Sequence, residues 1–318
     1  MARRAVSEEK RLEWDRQRSQ REAAMKDRLA EGVAALAQAK GWTQWLAFAG
    51  RMRRYSFTNQ LLLLSQMPQS GLVLPAGEWR KVGRYPVRGS TALRVWAPAA
   101  RRASTAEEDE APAARPTRFV LVPVFDVSQT DGLALPQQPR PEPPPPGQAP
   151  AGMWDALVGF AADAGYDVGL GDAGGADGIT RFDLRRIVVA DRGSDLSRAL
   201  VLVHEIARMA LHADPSARAH AAAHRGEREL EAESTAYLVA AEYGLAAAAG
   251  WQYDYLANWS AAAGARTPQE SADMVRAAAG RVLSAARPLL DRMSELGVGL
   301  DAAPAPAPGP PRVAARGM

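Results

Sequence analysis

VLVHEIARMALH, residues 201–212, sets His204 beside Glu205 in a segment that also carries Val203, Ile206, Ala207, Ala210 and Leu211. This is the opening of the H-E-x-x-H pattern. In that pattern, histidines at i and i+4 share one helix face and hold a zinc ion, and the Glu takes a proton from zinc-bound water. The i+4 position here is Arg208. A guanidinium has no lone pair to give and stays charged at physiological pH. His212 cannot replace the missing ligand: eight residues on, it lies ~12 Å further along the same helix. Zinc–nitrogen bonds are only ~2.0–2.1 Å long.

The next expected helix, from about 227 to 243, contains ELEAESTAYLVA at residues 229–240 and offers Glu229, Glu231 and Glu233 as carboxylate ligands. His220 and His224 are also spaced i,i+4. They can pair on a metal if helical, swing towards His204 from a loop, or stand in solvent. Three readings of His204 and Glu205 are open: a working zinc site, a weakened or altered one, and a degenerate one with Arg208 pairing Glu205 or Glu233. The apolar face lets the helix fold without zinc.

Outward from this core the chain reads as α+β. A helix is expected over residues 1–39, its first 28 residues strongly charged, and Trp42, Trp45, Leu46, Phe48 and Met52 continue a helical period. Leu61 to Leu64 suggest a buried helix closed by Pro68. From Gly71 the chain breaks into short β-like pieces, GLVLPAGEW, KVGRYPVRG and TALRVWAPA, with RFVLVPVFDVSQT after an acidic loop at 103–116. PQQPRPEPPPPGQAP, residues 136–150, reads as a proline-rich linker. It separates a helical and short-strand unit at 29–135 from a mainly helical unit at 151–296. In the second unit, helices are expected at MWDALVGFAADAGY, 194–213, 227–243 and 268–296, with two strands in GITRFDLRRIVVA. Residues 297–318 read as a disordered tail.

Among 318 residues, 47% hydrophobic and 24% charged, there is no cysteine, which excludes disulfides and thiolate zinc sites. No apolar run reaches the ~18 residues of a membrane span, and no apolar segment follows the first arginines to make a secretory signal. A cytoplasmic protein with no membrane partner is therefore expected. The net charge of +3 hides an asymmetry: residues 1–102 carry 20 Lys+Arg against 8 Asp+Glu, and the rest 19 against 28. A basic half suits a polyanion.

Single-stranded nucleic acid is held by basic grooves with aromatic faces for stacking. Arg51, Arg53, Arg54 and Tyr55, then Asn59 and Gln60, then Arg80, Lys81, Arg84, Tyr85 and Arg88 supply both ingredients, with Arg94 and Trp96 beyond. The cations would meet phosphates, Tyr55 and Tyr85 would stack, and Asn59 or Gln60 would reach a base edge or satisfy backbone groups. Phe57, Trp79 and Trp96 read more simply as core. Phosphate contacts give affinity without sequence specificity.

These motifs resemble the ArdC-type antirestriction proteins. The resemblance runs through Trp45, RRYSFTNQLLLLSQMP, GEWRKVGRYPVRGSTALRVWAP and RFVLVPVFDVSQTDG in the first half. In the second it runs through LVHEIARMALHADP, RGERELEAESTAYLVAAEYGL and QYDYLANWS, so it covers about residues 29–295. It implies an N-terminal single-stranded DNA-binding domain and a zincin-type metallopeptidase domain, in a family where some members protect incoming plasmid DNA from host restriction enzymes. By residue it implies zinc ligands at His204 and Glu233 and a catalytic base at Glu205, with the other histidine position taken by Arg208. The expected protein binds single-stranded DNA without sequence specificity and has an inactive or impaired peptidase domain. The alternatives are a zinc peptidase with a non-standard ligand set and a non-catalytic module that holds a protein or peptide.

Overall fold

The computed structural model describes residues 8–99, 118–135, 144–213, 225–246 and 264–300. The acidic loop at 103–116, His220, His224, QYDYLANWS and the tail beyond 300 lie outside them, as does most of the proline-rich stretch.

Three helices open the chain: α1 (Glu8–Leu36), α2 (Ala39–Arg51) and α3 (Phe57–Gln66). α1 is polar nearly all round and buries only Val33 and Leu36 near its end. α2 buries Trp42, Trp45, Leu46, Phe48 and Ala49, an apolar face at helical spacing. α3 starts where the Ser56 hydroxyl caps the Asn59 N–H, and it buries Gln60 together with Leu61, Leu62 and Leu63.

The strands follow as β1 (Val73–Leu74), β2 (Arg84–Pro86), β3 (Leu93–Pro98), β4 (Phe119–Asp126) and β5 (Thr130–Gly132). β1, β4 and β3 form an antiparallel sheet in that order, and β2 pairs separately with β5. One expectation fails here. GEWRK is not β-like: Ala76–Lys81 form a short helix, α4, which turns Trp79 into the core with its Nε1 donating to the Phe125 carbonyl at 2.9 Å. The corner after β4 is a capping box. The Asp126 carboxylate accepts from Ser128 N–H, Ser128 Oγ and Gly71 N–H, while Gln129 returns a bond to Asp126 N–H.

The second half contains α5 (Met153–Asp163), β6 (Asp167–Gly171), β7 (Gly178–Arg181), β8 (Arg186–Ala190), α6 (Asp195–His212), α7 (Arg225–Glu242) and α8 (Pro268–Glu295). β8 lies between β6, to which it is parallel, and β7, to which it is antiparallel. Ser194 caps α6, and Thr267 with Glu270 forms a capping box ahead of Pro268 on α8.

The two halves share one core. Trp42, Trp45 and Leu46 belong to the same apolar cluster as Leu202, Ile206, Val239 and Val282. Trp42 Nε1 crosses the seam to donate to Ser234 Oγ at 2.8 Å. A smaller cluster around Phe48, Leu63, Val95 and Val124 lies under the β1-β4-β3 sheet. No helix among the described residues is long and apolar enough to cross a membrane.

Candidate functional sites: an ion-pair cluster and a basic face

In α7 four glutamates alternate in sequence, and a helix sorts such a series onto two faces because residues four apart are neighbours. Glu227 and Glu231 meet Arg281 of α8: Nε lies 2.6 Å from Glu231 Oε1, and Nη2 contacts Glu227. Glu229 and Glu233 face α6. His204 Nε2 lies 3.4 Å from Glu229 Oε2, and Nδ1 lies 3.9 Å from Glu233 Oε2. Glu229, not the Glu233 of the family pattern, is therefore the nearer carboxylate to His204.

Arg208 stands one turn beyond His204 and bridges two acids, 3.8 Å from Glu205 Oε1 and 3.5 Å from Glu229 Oε1. Of the expected partners Glu205 is met, and Glu229 takes the place of Glu233. Glu205 is almost fully buried and accepts from Thr180 Oγ1 at 2.6 Å. β7 crosses α6 directly above it. A Cβ on Gly178 would lie 2.6 Å from Val201 Cγ1 and 2.9 Å from Glu205 Cγ, so only glycine allows that approach. His212, buried at the far end of α6, lies 3.5 Å from Glu231 Oε2 and takes no part in the His204 cluster.

The electrostatics follow from these contacts. The hydrogen bond from His204 holds the Glu229 carboxyl below its ordinary range, helped by Arg208 and Arg228 against the effect of burial. Burial raises Glu233, with His204 pulling the other way. Burial pushes Glu231 up to about 7 despite Arg281. Burial also brings His212 down to about 4, aided by Arg228, Arg208 and Arg281, so its imidazole is neutral near pH 7.

These residues do not fit a zinc ion. A zinc site needs three protein donors with a water, or four. This one offers a single imidazole, and a guanidinium already ion-paired to two of the nearby carboxylates. Among the described residues no three His, Asp or Glu side chains are grouped to hold a metal. As arranged, the cluster is a set of ion pairs joining α6 to α7. Arg208 and Glu229 are each about a third exposed, so their pair is screened by solvent and contributes ~1 kcal/mol at most.

The basic face divides into residues that hold the fold and residues that do not. Gln60 is fully buried: Oε1 accepts from Trp45 Nε1 at 3.0 Å and Nε2 donates to Met52 O at 3.1 Å. Asn59 binds the backbone of Trp96 with both ends of its amide. The Tyr55 hydroxyl donates to Val73 O at 2.8 Å, and burial pushes it up to about 12. Arg84 donates to Thr130 Oγ1, Thr130 O and Leu133 O, which ties β2 to the end of β5. These four side chains belong to internal bonding rather than to an open surface.

Among the others, Arg51 donates to Ala47 O and Pro68 O, Arg53 pairs with Asp291, and Lys81 pairs with Glu78. Arg54, Arg80, Arg88 and Arg94 have no side-chain partner among the described residues, and Tyr85 is 57% exposed. Around Tyr85 the surface is also apolar: Val82, Val87 and Leu133 are all exposed, with Leu133 laid over Gly83. Residues 37–99 carry nine Lys and Arg against one acid, Glu78, so this stretch of the chain concentrates the basic excess of the first half. By contrast α1 is balanced, with seven residues of each sign.

The fold is thus an α+β arrangement of two halves on a common core. By shape the chain is similar to two crystal structures of the antirestriction ArdC protein from the R388 plasmid. The metal-free one has a TM-score of 0.48 at 19% identity, covering 76% of this chain and 86% of that one. The Mn(II)-bound one has a TM-score of 0.46 at 16% identity, covering 75% and 88%. This is the family that the motifs resemble. No protein-family model matches the chain, and no curated protein matches it by sequence.

Proposed function

We propose that this chain is a single-stranded DNA-binding protein of the antirestriction type, binding without sequence specificity. Its second half is a peptidase-like scaffold in which an ion-pair cluster replaces the zinc site. The observation that carries the reading is the exposed Tyr85 on β2, flanked in the chain by Arg80 on α4 and Arg88 in the turn that follows, two exposed cations without a side-chain partner among the described residues. An aromatic face with free guanidiniums nearby offers stacking and phosphate contact together. The shared core and the Trp42–Ser234 bond support a structural role for the second half, as a support for the basic face.

Fluorescence anisotropy with a labelled thymidine oligonucleotide tests this. If Arg54, Arg80, Arg88 and Arg94 each meet one phosphate, affinity falls about fiftyfold between ~50 and ~200 mM salt, from a slope of about −0.7 per single-strand phosphate contact. Affinity that does not change with salt would remove the phosphate mechanism. Preference for a duplex of equal length would remove the single-strand assignment.

A further inference from the structure

Between the turn that joins α2 to α3 and the C-terminal third of α8 lies an open cavity of about 270 Å³, lined by Arg53, Arg54, Arg287 and Asp291. At ~30 Å³ per water it has room for about nine waters, enough for a partly hydrated phosphate group. Residues more than 230 positions apart meet there because α8 docks against the first half. Arg53 Nη1 lies 3.2 Å from Asp291 Oδ1, and Arg287 Nη2 donates to Tyr55 O at 2.5 Å. Three guanidiniums face one carboxylate, so two positive charges are left over after the Arg53–Asp291 pair. Like charges held this close repel one another unless an anion joins them.

Two further observations point to such an anion. Arg54 is exposed and has no side-chain partner among the described residues. Arg287 is half-buried, with Nη2 given to the Tyr55 carbonyl and a buried Nε–H that has no acceptor, so its guanidinium is incompletely satisfied within the protein. Guanidinium forks match phosphate oxygens in paired hydrogen bonds. We propose that this cavity binds a backbone phosphate of single-stranded DNA, with Arg54 and Arg287 as its principal donors and Arg53 shared with Asp291. The inference rests on the DNA-binding reading and extends it, because it brings α8 of the second half into the binding surface.

The test is anisotropy with the thymidine oligonucleotide on the full chain and its variants, with thermal melting as a check on folding. Arg54→Gln and Arg287→Gln each remove one donor to the same phosphate and each weaken binding. The double variant loses the contact, weakening binding about fivefold at ~0.1 M salt and lowering the salt slope by about 0.7. Asp291→Asn removes the competing carboxylate and tightens binding, a change that a folding defect would not produce. Arg88→Gln, on the other part of the basic face, is the reference. If Arg88→Gln weakens binding while the cavity variants match the parent in affinity and slope, the cavity assignment is overturned and the DNA-binding reading stands. If inorganic phosphate at constant ionic strength protects the parent against melting but leaves DNA affinity unchanged, the cavity takes a free anion and the DNA assignment is overturned. A parent protein that binds no oligonucleotide overturns both.

Discussion

Asn59 meets the backbone of Trp96 with both ends of its amide, Nδ2 donating to the carbonyl and Oδ1 accepting from the N–H, each at 2.8 Å. Two helical turns later Gln66 repeats the arrangement on Arg94, with both bonds at 2.9 Å. β3 is an edge strand, and alternate residues turn their backbone groups away from β4. The two amides cover that edge as a neighbouring strand would. Asn59→Ala uncovers a donor and an acceptor together, and a loss of about 2 kcal/mol in urea unfolding is expected. DNA affinity under conditions where the variant stays folded should be unchanged, and a loss of affinity there would give Asn59 a contact with the ligand.

Tyr85 and Arg84 are sequence neighbours with opposite roles. Tyr85 stands in solvent, whereas Arg84 makes three hydrogen bonds to the β5 segment. Tyr85→Ala should leave the melting temperature unchanged and weaken single-stranded DNA binding at least fivefold, since stacking on one base is worth ~1–3 kcal/mol. Arg84→Ala should lower the melting temperature first. If Tyr85→Ala bound as well as the parent, the base-stacking role would be gone.

Periodic apolar segments made most of the helices legible. The Trp42–Trp45–Ala49 face and the Leu61–Leu63 run fold as their spacing dictates. α4 was hidden because a six-residue helix is too short to show a period, and Pro75, Gly77 and Gly83 mimic strand punctuation. β6 was hidden because D-V-G-L-G, although Val168 and Leu170 alternate, is only five residues long and two of them are glycine, and its pairing with β8 supplies what its side chains lack. In the α6–α7 cluster, sequence identified Arg208 as the departure. Spacing left Glu229, Glu231 and Glu233 open and the resemblance pointed to Glu233, whereas Glu229, on the same helix face one turn earlier, lies nearer His204. Nor do residue types reveal whether an amide such as Gln60 meets a base or a tryptophan indole, because the same donor and acceptor serve both.

Arg208 occupies the position where a second imidazole would complete the H-E-x-x-H pair with His204. Arg208→His removes the cation that bridges Glu205 and Glu229 and supplies a second nitrogen donor on the same helix face. Elemental analysis of the purified proteins should find stoichiometric zinc in the variant and none in the parent. Equal zinc in both would mean that the parent assembles a non-standard ligand set and would restore the peptidase alternative.

His212 and Glu231 titrate in opposite senses, and the two can be separated by mutation. Folding lowers the His212 pKa from 6.5 to about 4, so the folded state refuses a proton that the unfolded chain takes up. The stability it contributes is complete above pH 6.5 and is lost as pH falls through about 4. Glu231 is raised from 4.5 to about 7, so its contribution is complete below 4.5 and is lost as pH rises through about 7. A neutral His212→Gln variant keeps the Glu231 effect and lacks that of the imidazole. Between ~pH 7 and ~pH 4.5 the parent should lose about 2 kcal/mol more stability than the variant, from the linkage of the lowered imidazole pKa. Urea midpoints at the two pH values measure the difference. Parallel curves for parent and variant would show that folding leaves the His212 pKa where it is in the unfolded chain. A parent that gains stability over the variant as pH falls would show that His212 carries its proton in the folded protein, ion-paired to the Glu231 carboxylate 3.5 Å away.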